Sequence, residues 1–297
     1  MPRKPDFIGI GSPRCATTWL YKNLVTHPGV YFPPALKEVH FFDEIGRDGH
    51  FSERGRWNYE RGISWYENLF NGASSAQIAG EITPTYLADE KAPELIAQHY
   101  PDVKLLLSVR NPIDRAYSHY RYMSKMVTLP ESFELMLKDS QGFKIKEAGQ
   151  YYTHLQRFLK HFHRDQILII FYEDVVNGPW QVLRDICNFF QIDVQFDETL
   201  VGNTINPAVD VRSQRIHRLY YWSRRKLRRD LPGLLQFAEF IQLPRLGRFI
   251  SRWNRRPGGN IEPILRRTRR ELQEYYAEDI CQLAKYTGRN LDQWLIS

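Results

Sequence analysis

Short, largely apolar runs alternate with amphipathic segments along much of the 297-residue chain. Four of these runs lie between turn residues and have the length of buried strands: residues 7–10, 77–83, 103–109 and 167–171. Strands that alternate with helices pair in parallel and are covered on both faces of the sheet. The pattern therefore predicts a three-layer α/β fold, with a central parallel sheet flanked by helices.

The predicted helices follow the strands in the chain. The first begins at Thr17, where apolar residues recur at helical spacing. Asn111 and Pro112 are suited to cap and open the helix after the third predicted strand. Residues 27–36 contain three prolines and are predicted as a loop. Further helices are predicted at residues 65–70, 93–100, 131–139, 150–163 and 180–190.

Composition indicates one folded domain. We see no repeat, low-complexity tract or clear linker, so we expect a single domain over residues 1–297 with a helical C-terminal part from residue 212. No run approaches the roughly 20 apolar residues that span a bilayer. The N-terminal residues run straight into the first strand, which leaves no room for the apolar core of a secretory signal. We therefore expect a cytoplasmic protein.

Cysteine and charge usage narrow the function classes. The three cysteines, at positions 15, 187 and 281, lie far apart, so neither a disulfide framework nor a zinc site is indicated. The net charge of +7 is uneven, with eight Arg or Lys and no acid between residues 211 and 229 and a second basic run at 252–270. Such a run of basic residues most often forms the solvated face of a helix. The more specific hypothesis is that it lines the rim of a site for an acidic substrate or makes a weak contact with a membrane surface. We expect no nucleic-acid partner, and the oligomeric state is left open.

The turn after the first strand, residues 11–18, has the features of an anion site. A helix that starts right after such a turn points unpaired N–H groups and the positive end of its dipole at the turn. The spacing is similar to the nucleotide-binding pattern G-x-x-x-x-G-K-[ST], but Thr17 replaces the lysine and the cation moves back to Arg14. The phosphate-binding groups are predicted to be Arg14 and the backbone of Cys15, Ala16, Thr17 and Thr18. A turn that serves packing alone remains the alternative, and Cys15 is expected to be a small loop residue rather than a nucleophile.

A second anion site is predicted at the end of the strand at residues 103–109. Arg110 follows it, where a Mg²⁺-dependent P-loop enzyme usually carries an aspartate. A cation there repels a metal ion and attracts a phosphate, and Ser118 follows about two helical turns later. Two anion sites at the carboxyl ends of parallel strands fit the rule for ligand crevices in open α/β sheets. The alternative is a structural ion pair between Arg110 and Glu81 or Asp114.

Taken together, these motifs resemble the sulfotransferases that use 3′-phosphoadenosine 5′-phosphosulfate. Residues 11–20 are similar to the 5′-phosphosulfate loop of that family, and residues 110–120 to its 3′-phosphate motif, with Arg110 and Ser118 at the phosphate-contacting positions. Residues 37–43 and 81–86 are similar to segments of the heparan sulfate branch, the first of which bears the catalytic Glu. The resemblance implies a P-loop-like sulfotransferase fold.

The resemblance also implies a reaction. A sulfuryl group would pass from 3′-phosphoadenosine 5′-phosphosulfate to an acceptor hydroxyl without a metal, leaving 3′-phosphoadenosine 5′-phosphate. Glu38 would be the general base, Arg14 would stabilise charge on the departing phosphate, and His40 would orient Glu38 or the acceptor. A surface ion pair with Lys37 is the alternative for Glu38, and a structural histidine the alternative for His40.

The aromatic residues beside Glu38 add an expectation of their own. Phe41, Phe42 and Tyr86 are expected to desolvate Glu38 and to raise its affinity for a proton.

Two departures from the resembled family bear on the acceptor and the nucleotide. Ile82 stands where the glycan enzymes usually carry a lysine. Residues 203–213, which include the candidate nucleotide contact Arg212, are a loose counterpart of the final cofactor loop of the family. The acceptor therefore remains open among a sugar, a lipid-linked glycan and a hydroxylated secondary metabolite.

Two other function classes are kept as alternatives to a sulfotransferase. A Mg²⁺-dependent P-loop kinase uses the same kind of loop, but the loop lysine and the strand-end aspartate are missing. A non-catalytic binder of polyanions or membrane surfaces uses basic helices, but it leaves the two phosphate motifs unexplained.

Overall fold

A computed structural model describes residues 2–34, 36–44, 58–124, 132–138, 144–196, 210–211, 255–256 and 264–296. The strands of its main sheet are β1 (Phe7–Gly11), β2 (Val30–Tyr31), β3 (Ile78–Ile82), β4 (Lys104–Val109) and β5 (Ile167–Phe171). They lie in the order β2-β3-β1-β4-β5, and all neighbouring strands are parallel. The predicted parallel α/β sheet is confirmed. A separate antiparallel pair joins β6 (Asp210–Val211) to β7 (Arg255–Arg256).

Helices follow the strands, as the sequence predicts. Those described are α1 (Thr17–Leu24), α2 (Ile63–Asn68), α3 (Ala92–His99), α4 (Pro112–Met123), α5 (Phe133–Lys138), α6 (Tyr151–Phe158), α7 (Tyr172–Asn177), α8 (Pro179–Phe190) and α9 (Arg266–Thr287). Asn111 caps α4, because its Oδ1 accepts hydrogen bonds from the N–H groups of Ile113 at 3.0 Å and Asp114 at 3.4 Å. Within the described ranges, no helix is long and apolar enough to cross a membrane.

The central strand β1 organises the core. All five of its residues are buried. Phe7 belongs to a cluster with Leu20 and Leu24 of α1 and with Leu183 and Ile186 of α8. Burial on this scale stabilises the fold by roughly 1.5–3 kcal/mol for each large apolar side chain. The sheet is therefore a rigid base for the loops at its carboxyl edge.

Two elements differ from the sequence prediction. The loop predicted at residues 27–36 is wrong at β2, where Val30 pairs with Ile78 and Tyr31 with Ala79. A strand of two residues is too short to show a period, so only its pairing with β3 defines it. The short helix α7 was not predicted, because it follows β5 without an intervening turn.

The chain divides into two compact units. The first comprises Met1–Arg115, Lys146–Ile205 and Arg270–Ser297, and it holds the parallel sheet. The second comprises Ala116–Ile145 and Asn206–Arg269. The single domain expected over residues 1–297 stays a prediction.

Within the second unit, α5 packs on α4. The rings of Tyr117 and Phe133 lie 5.2 Å apart between centroids, and the Thr268 hydroxyl donates to Glu134 at 3.2 Å. The basic run at 211–229 lies outside the described residues apart from the backbone of Val211, and much of the run at 252–270 lies outside them too. The surface-binding hypothesis for these runs therefore stays a prediction.

Candidate active site

The loop after β1 lies between the ends of β3 and β4. A Cβ atom at Gly11 would lie 2.7 Å from the Cβ of Leu87, so only glycine allows this close approach. The N–H of Ser12 donates to the Ser108 carbonyl of β4 at 2.7 Å, and the Ser108 hydroxyl donates to the Cys15 carbonyl. These contacts fix the loop at the carboxyl edge of the sheet, where ligands of open α/β sheets bind.

The loop backbone has the shape of an anion cradle. Arg14 and Ala16 adopt left-handed conformations, with φ of 73° and 66°. Alternation of right- and left-handed residues turns successive N–H groups into a concavity that binds anions. Ala16 stands at the N-cap of α1 and offers no side-chain acceptor, so the first-turn N–H groups of Thr17 and Thr18 have no cap from it.

One backbone donor of the loop makes a hydrogen bond within the turn. The N–H of Cys15 donates to the Ser12 carbonyl at 3.2 Å, so it is already used within the turn. The predicted backbone contacts of Cys15, Ala16, Thr17 and Thr18 with a ligand stay a prediction.

The hydroxyl of Ser12 was not singled out by the sequence, yet it bears on the ligand. Ser12 is 1% exposed, and within the described residues its Oγ has no hydrogen-bond partner. A buried hydroxyl without a partner is costly in a folded protein. A phosphate oxygen seated in the loop would accept its hydrogen bond, so the residues present fit a phosphorylated ligand.

Cys15 is a packing residue of this loop. Its Sγ lies 3.6 Å from the Tyr151 hydroxyl, and its side chain is fully buried. Burial raises the pKa of the thiol to about 11, although Tyr151 and nearby arginines oppose the rise. A protonated, buried thiol is a poor nucleophile, in agreement with the expected role of Cys15.

The segment from Lys37 to His40 crosses the end of β3 next to this loop. The Ile82 N–H donates to the Lys37 carbonyl at 3.3 Å, and the Val39 N–H donates to the Thr83 hydroxyl at 2.9 Å. The Lys37 ammonium donates to Glu38 Oε1 at 2.6 Å and to Thr17 Oγ1 at 3.4 Å. The structure thus brings Glu38 next to the predicted phosphate loop, although 20 residues separate Thr17 from Lys37.

His40 lies between two carboxylates. Its Nε2 lies 3.5 Å from Glu38 Oε2, and its Nδ1 lies 2.9 Å from Asp43 Oδ2, which also accepts the hydroxyl of Thr85. Burial opposes protonation of the imidazole, but the hydrogen bonds to Asp43 and Glu38 outweigh it and raise the pKa of His40 to about 10. His40 is therefore positively charged at neutral pH, and it contacts the Glu38 carboxylate.

The expected rise in the proton affinity of Glu38 is wrong. Burial does act to raise the pKa of Glu38, but the hydrogen bond from His40 and the charge of Lys37 outweigh it and lower the pKa to about 2. The side chain is 39% exposed. Phe41 and Phe42 are both fully buried in an aromatic cluster with Tyr66, where the Phe41 and Tyr66 rings stack at 4.6 Å.

Two tyrosines, Tyr66 and Tyr86, pack against Phe42 and bind Glu81. Its carboxylate is fully buried and accepts hydrogen bonds from the hydroxyls of Thr83 at 2.5 Å, Tyr86 at 2.8 Å and Tyr66 at 3.1 Å, and from the Val39 N–H at 3.2 Å. Burial raises the pKa of Glu81 to about 7, although these donors lower it in part. Glu81 and Thr83 together hold the backbone of the segment that carries Glu38.

Arg110 directly follows β4, as predicted. Its guanidinium lies over the ring of Tyr172, 4.2 Å from the ring centroid. The alternative of an ion pair with Glu81 is wrong, since among the described residues the partners of Glu81 are hydroxyls and a backbone N–H. Asn111 next to it donates its N–H to Glu173 Oε1 at 3.3 Å, which ties the strand end to α7.

The other predicted nucleotide contacts are placed differently. Ser118 lies on α4 within the second unit, whereas Arg110 lies in the first, so their joint action on one phosphate stays a prediction. Arg212 lies outside the described residues.

The fold and the motifs define a sulfotransferase. Residues 4–210 match the family model described as a sulfotransferase domain, so the chain belongs to that family. The resemblance seen in the sequence is confirmed.

The relatives it is similar to include two heparan sulfate enzymes. The chain is 33% identical over 184 residues to heparan sulfate glucosamine 3-O-sulfotransferase 6 of Homo sapiens. This match covers 60% of this chain and 49% of that protein. It is 31% identical over 192 residues to heparan sulfate glucosamine 3-O-sulfotransferase 3B1 of Mus musculus. This second match covers 62% of this chain and 45% of that protein. The match therefore spans less than half the length of each relative.

A solved structure shares the fold of this chain. The sulfotransferase from Alicyclobacillus acidocaldarius superposes with a TM-score of 0.64 at 23% sequence identity, and the match covers 98% of both chains. The predicted sulfotransferase fold class is confirmed.

Proposed function

We propose that this chain transfers a sulfuryl group from 3′-phosphoadenosine 5′-phosphosulfate to a hydroxyl of an acceptor. The observation that carries the proposal is the link from Glu38 through the Lys37 ammonium to Thr17, at 2.6 and 3.4 Å. A carboxylate that can accept a proton thus lies beside a cradle for a phosphate. Sulfuryl transfer needs both groups at one point.

The donor side of the site is basic and rich in N–H groups. We assign the 5′-phosphate of the donor to the loop, where Arg14, the Ser12 hydroxyl and the N–H groups of Ala16, Thr17 and Thr18 would stabilise its charge. We assign the 3′-phosphate to Arg110, whose guanidinium is positioned by stacking on Tyr172.

The acceptor side centres on Glu38. Glu38 takes the proton of the acceptor hydroxyl while the electron pair of that oxygen forms the bond to sulfur. The bond from sulfur to the 5′-phosphate oxygen breaks, and its electron pair stays on the phosphate of 3′-phosphoadenosine 5′-phosphate. His40, held by Asp43 at 2.9 Å, orients the carboxylate for this step.

The ionised state of Glu38 supports its role as base. A carboxyl with a pKa of about 2 is unprotonated throughout the neutral range, so it is always ready to accept a proton. Its basicity is low while Lys37 and His40 both contact it, so proton transfer must accompany formation of the bond to sulfur rather than precede it.

The acceptor class follows from the comparisons and from the open face of Glu38. Both relatives described above are named for transfer to a sugar hydroxyl of heparan sulfate. We propose a hydroxylated glycan or a smaller hydroxylated molecule as acceptor for this chain. The exposed fraction of Glu38 leaves room for either.

Nucleotide binding tests the donor assignment before any acceptor is known. Isothermal titration in the presence of EDTA should show binding of 3′-phosphoadenosine 5′-phosphate, with at least tenfold weaker binding of adenosine 5′-phosphate, because charge-assisted contacts to the 3′-phosphate are lost. Release of 3′-phosphoadenosine 5′-phosphate from the sulfated donor should then depend on one member of a panel of hydroxylated acceptors. Binding of ATP with Mg²⁺ and without 3′-phosphate preference would contradict the proposal and favour a kinase.

A further inference from the structure

The phosphate loop carries no lysine at position 17, where a nucleotide-binding P-loop has the residue that reaches the terminal phosphates. In the fold, an ammonium nevertheless lies beside that position. Lys37 Nζ lies 3.4 Å from Thr17 Oγ1, although it comes from a different segment of the chain. The structure thus restores a positive charge at the place where the loop sequence lacks one.

The backbone around Lys37 fixes this arrangement. The Lys37 carbonyl accepts from the Ile82 N–H at 3.3 Å, and the next residue but one, Val39, is held by Thr83 at 2.9 Å. The Lys37 side chain is only 20% exposed and its ammonium donates to Glu38 at 2.6 Å. A lysine anchored at both ends of its segment loses little further freedom on binding a ligand.

We propose that Lys37 is a further catalytic residue, which contacts the phosphosulfate of the donor and supplies the charge that a P-loop lysine supplies from position 17. The inference rests on the proposed function and goes beyond it. An oxygen of the 5′-phosphate bound to the first-turn N–H groups of α1 would be within reach of an ammonium that already contacts the Thr17 side chain. The positive charge then stabilises the negative charge that develops on the phosphate as the bond to sulfur breaks.

The same contact links donor binding to the base. Lys37 has one ammonium group, which lies against Glu38 Oε1. A phosphate that attracts this group weakens its contact with the carboxylate, so the proton affinity of Glu38 rises when the donor is bound. Glu38 thereby becomes a stronger base only in the complex in which transfer can occur.

Equilibrium binding isolates this contact without using turnover. The variant Lys37→Met keeps the apolar stem and removes the ammonium, and Lys22→Met removes an exposed lysine from α1 as a matched control. Lys37→Met should weaken binding of 3′-phosphoadenosine 5′-phosphate at least tenfold, since a charge-assisted hydrogen bond is lost. Binding of adenosine 3′-phosphate, which lacks the 5′-phosphate, should stay within about twofold of wild type.

A background without the Glu38 charge separates the two roles of Lys37. If Lys37 contacts the donor, Lys37→Met in the Glu38→Gln background should again cost at least tenfold in affinity. Swapping the positions, with Thr17→Lys and Lys37→Met together, should recover part of the lost affinity because the charge returns to the loop.

Each outcome decides between the inference and the proposed function. Unchanged binding of 3′-phosphoadenosine 5′-phosphate by Lys37→Met, or a loss that disappears in the Glu38→Gln background, would overturn the role of Lys37 at the donor. Absence of binding by the wild-type chain would overturn the proposed function itself. Thermal unfolding midpoints check that the variants fold, and Lys37→Gln replaces Lys37→Met in the same comparison if the latter does not.

Discussion

The substitution Glu81→Gln tests how the segment that carries Glu38 is held. Burial raises the pKa of Glu81 from its ordinary value of 4.5 to about 7, although hydrogen bonds from Thr83 and Tyr86 lower it in part. A carboxyl with a raised pKa binds its proton more tightly in the folded chain than in the unfolded chain. The free energy of unfolding therefore decreases as pH rises from about 4.5 to about 7. The rise in pKa corresponds to roughly 3 kcal/mol, since one pKa unit is about 1.4 kcal/mol.

A glutamine at position 81 cannot ionise, so this pH dependence should disappear. The free energy of unfolding of wild type, relative to Glu81→Gln, should fall by up to roughly 3 kcal/mol between pH 4.5 and pH 8. Urea unfolding followed by tryptophan fluorescence at several pH values measures it. The exposed residue Glu90 offers the matched control Glu90→Gln, which should leave the pH dependence of wild type unchanged. Parallel pH curves for wild type and Glu81→Gln would refute the reasoning.

The same variant has a consequence for the active site. The Val39 N–H donates to Glu81 and to Thr83, and this pair of contacts sets the backbone next to Glu38. A weakened hydrogen bond of about 1 kcal/mol predicts a turnover about fivefold lower, with nucleotide affinity close to wild type. Equal losses in turnover and in nucleotide affinity would instead indicate a general effect on folding.

Two further predictions concern the predicted nucleotide contacts. Arg110→Ala should weaken binding of 3′-phosphoadenosine 5′-phosphate by about 10- to 100-fold and that of adenosine 5′-phosphate by no more than about twofold. The exposed control Arg184→Ala should change neither affinity. Equal weakening of both nucleotides would move Arg110 to a structural role. Burial and a pKa raised to about 11 should protect the Cys15 thiol from iodoacetamide at pH 8, while the exposed Cys281 reacts. Mass spectrometry measures the labelling of each thiol, and equal labelling of both would contradict the burial of Cys15.

The sheet could be predicted from the sequence because its central strands are continuous apolar runs. β1 and β4 are buried on both faces, and such strands show their hydrophobicity without reference to any partner. β2 lacks such a signal, since its two residues become a strand only by pairing with β3. Local patterns thus identify the elements that carry the core and miss those that tertiary pairing creates.

The active site divides in the same way. The predicted phosphate loop is contiguous in sequence, so spacing alone is enough to predict it as an anion site. The contacts of Lys37 with Thr17 and of Val39 with Glu81 join residues that lie 20 and 42 positions apart, and no local pattern reveals them.

The environment of Glu38 was misjudged for a related reason. His40, between Glu38 and the two phenylalanines, adopts a left-handed conformation with φ of 50°. Phe41 and Phe42 are fully buried, whereas the Glu38 side chain stays partly exposed and contacts Lys37, whose ammonium also donates to Thr17. The alternation of charged and aromatic residues indicates that both kinds of side chain have fixed positions at a cleft wall. It does not indicate on which side of the segment each kind lies.

The turnover of Glu38→Gln tests the central claim most directly. The glutamine keeps the size and hydrogen-bonding reach of the side chain, but it cannot accept the proton of the acceptor hydroxyl. Release of 3′-phosphoadenosine 5′-phosphate from the sulfated donor, with the active acceptor and EDTA present, should fall about 100-fold or more, while nucleotide affinity stays within about threefold of wild type. Near-normal turnover by Glu38→Gln would contradict the account and make His40 the next candidate for the base.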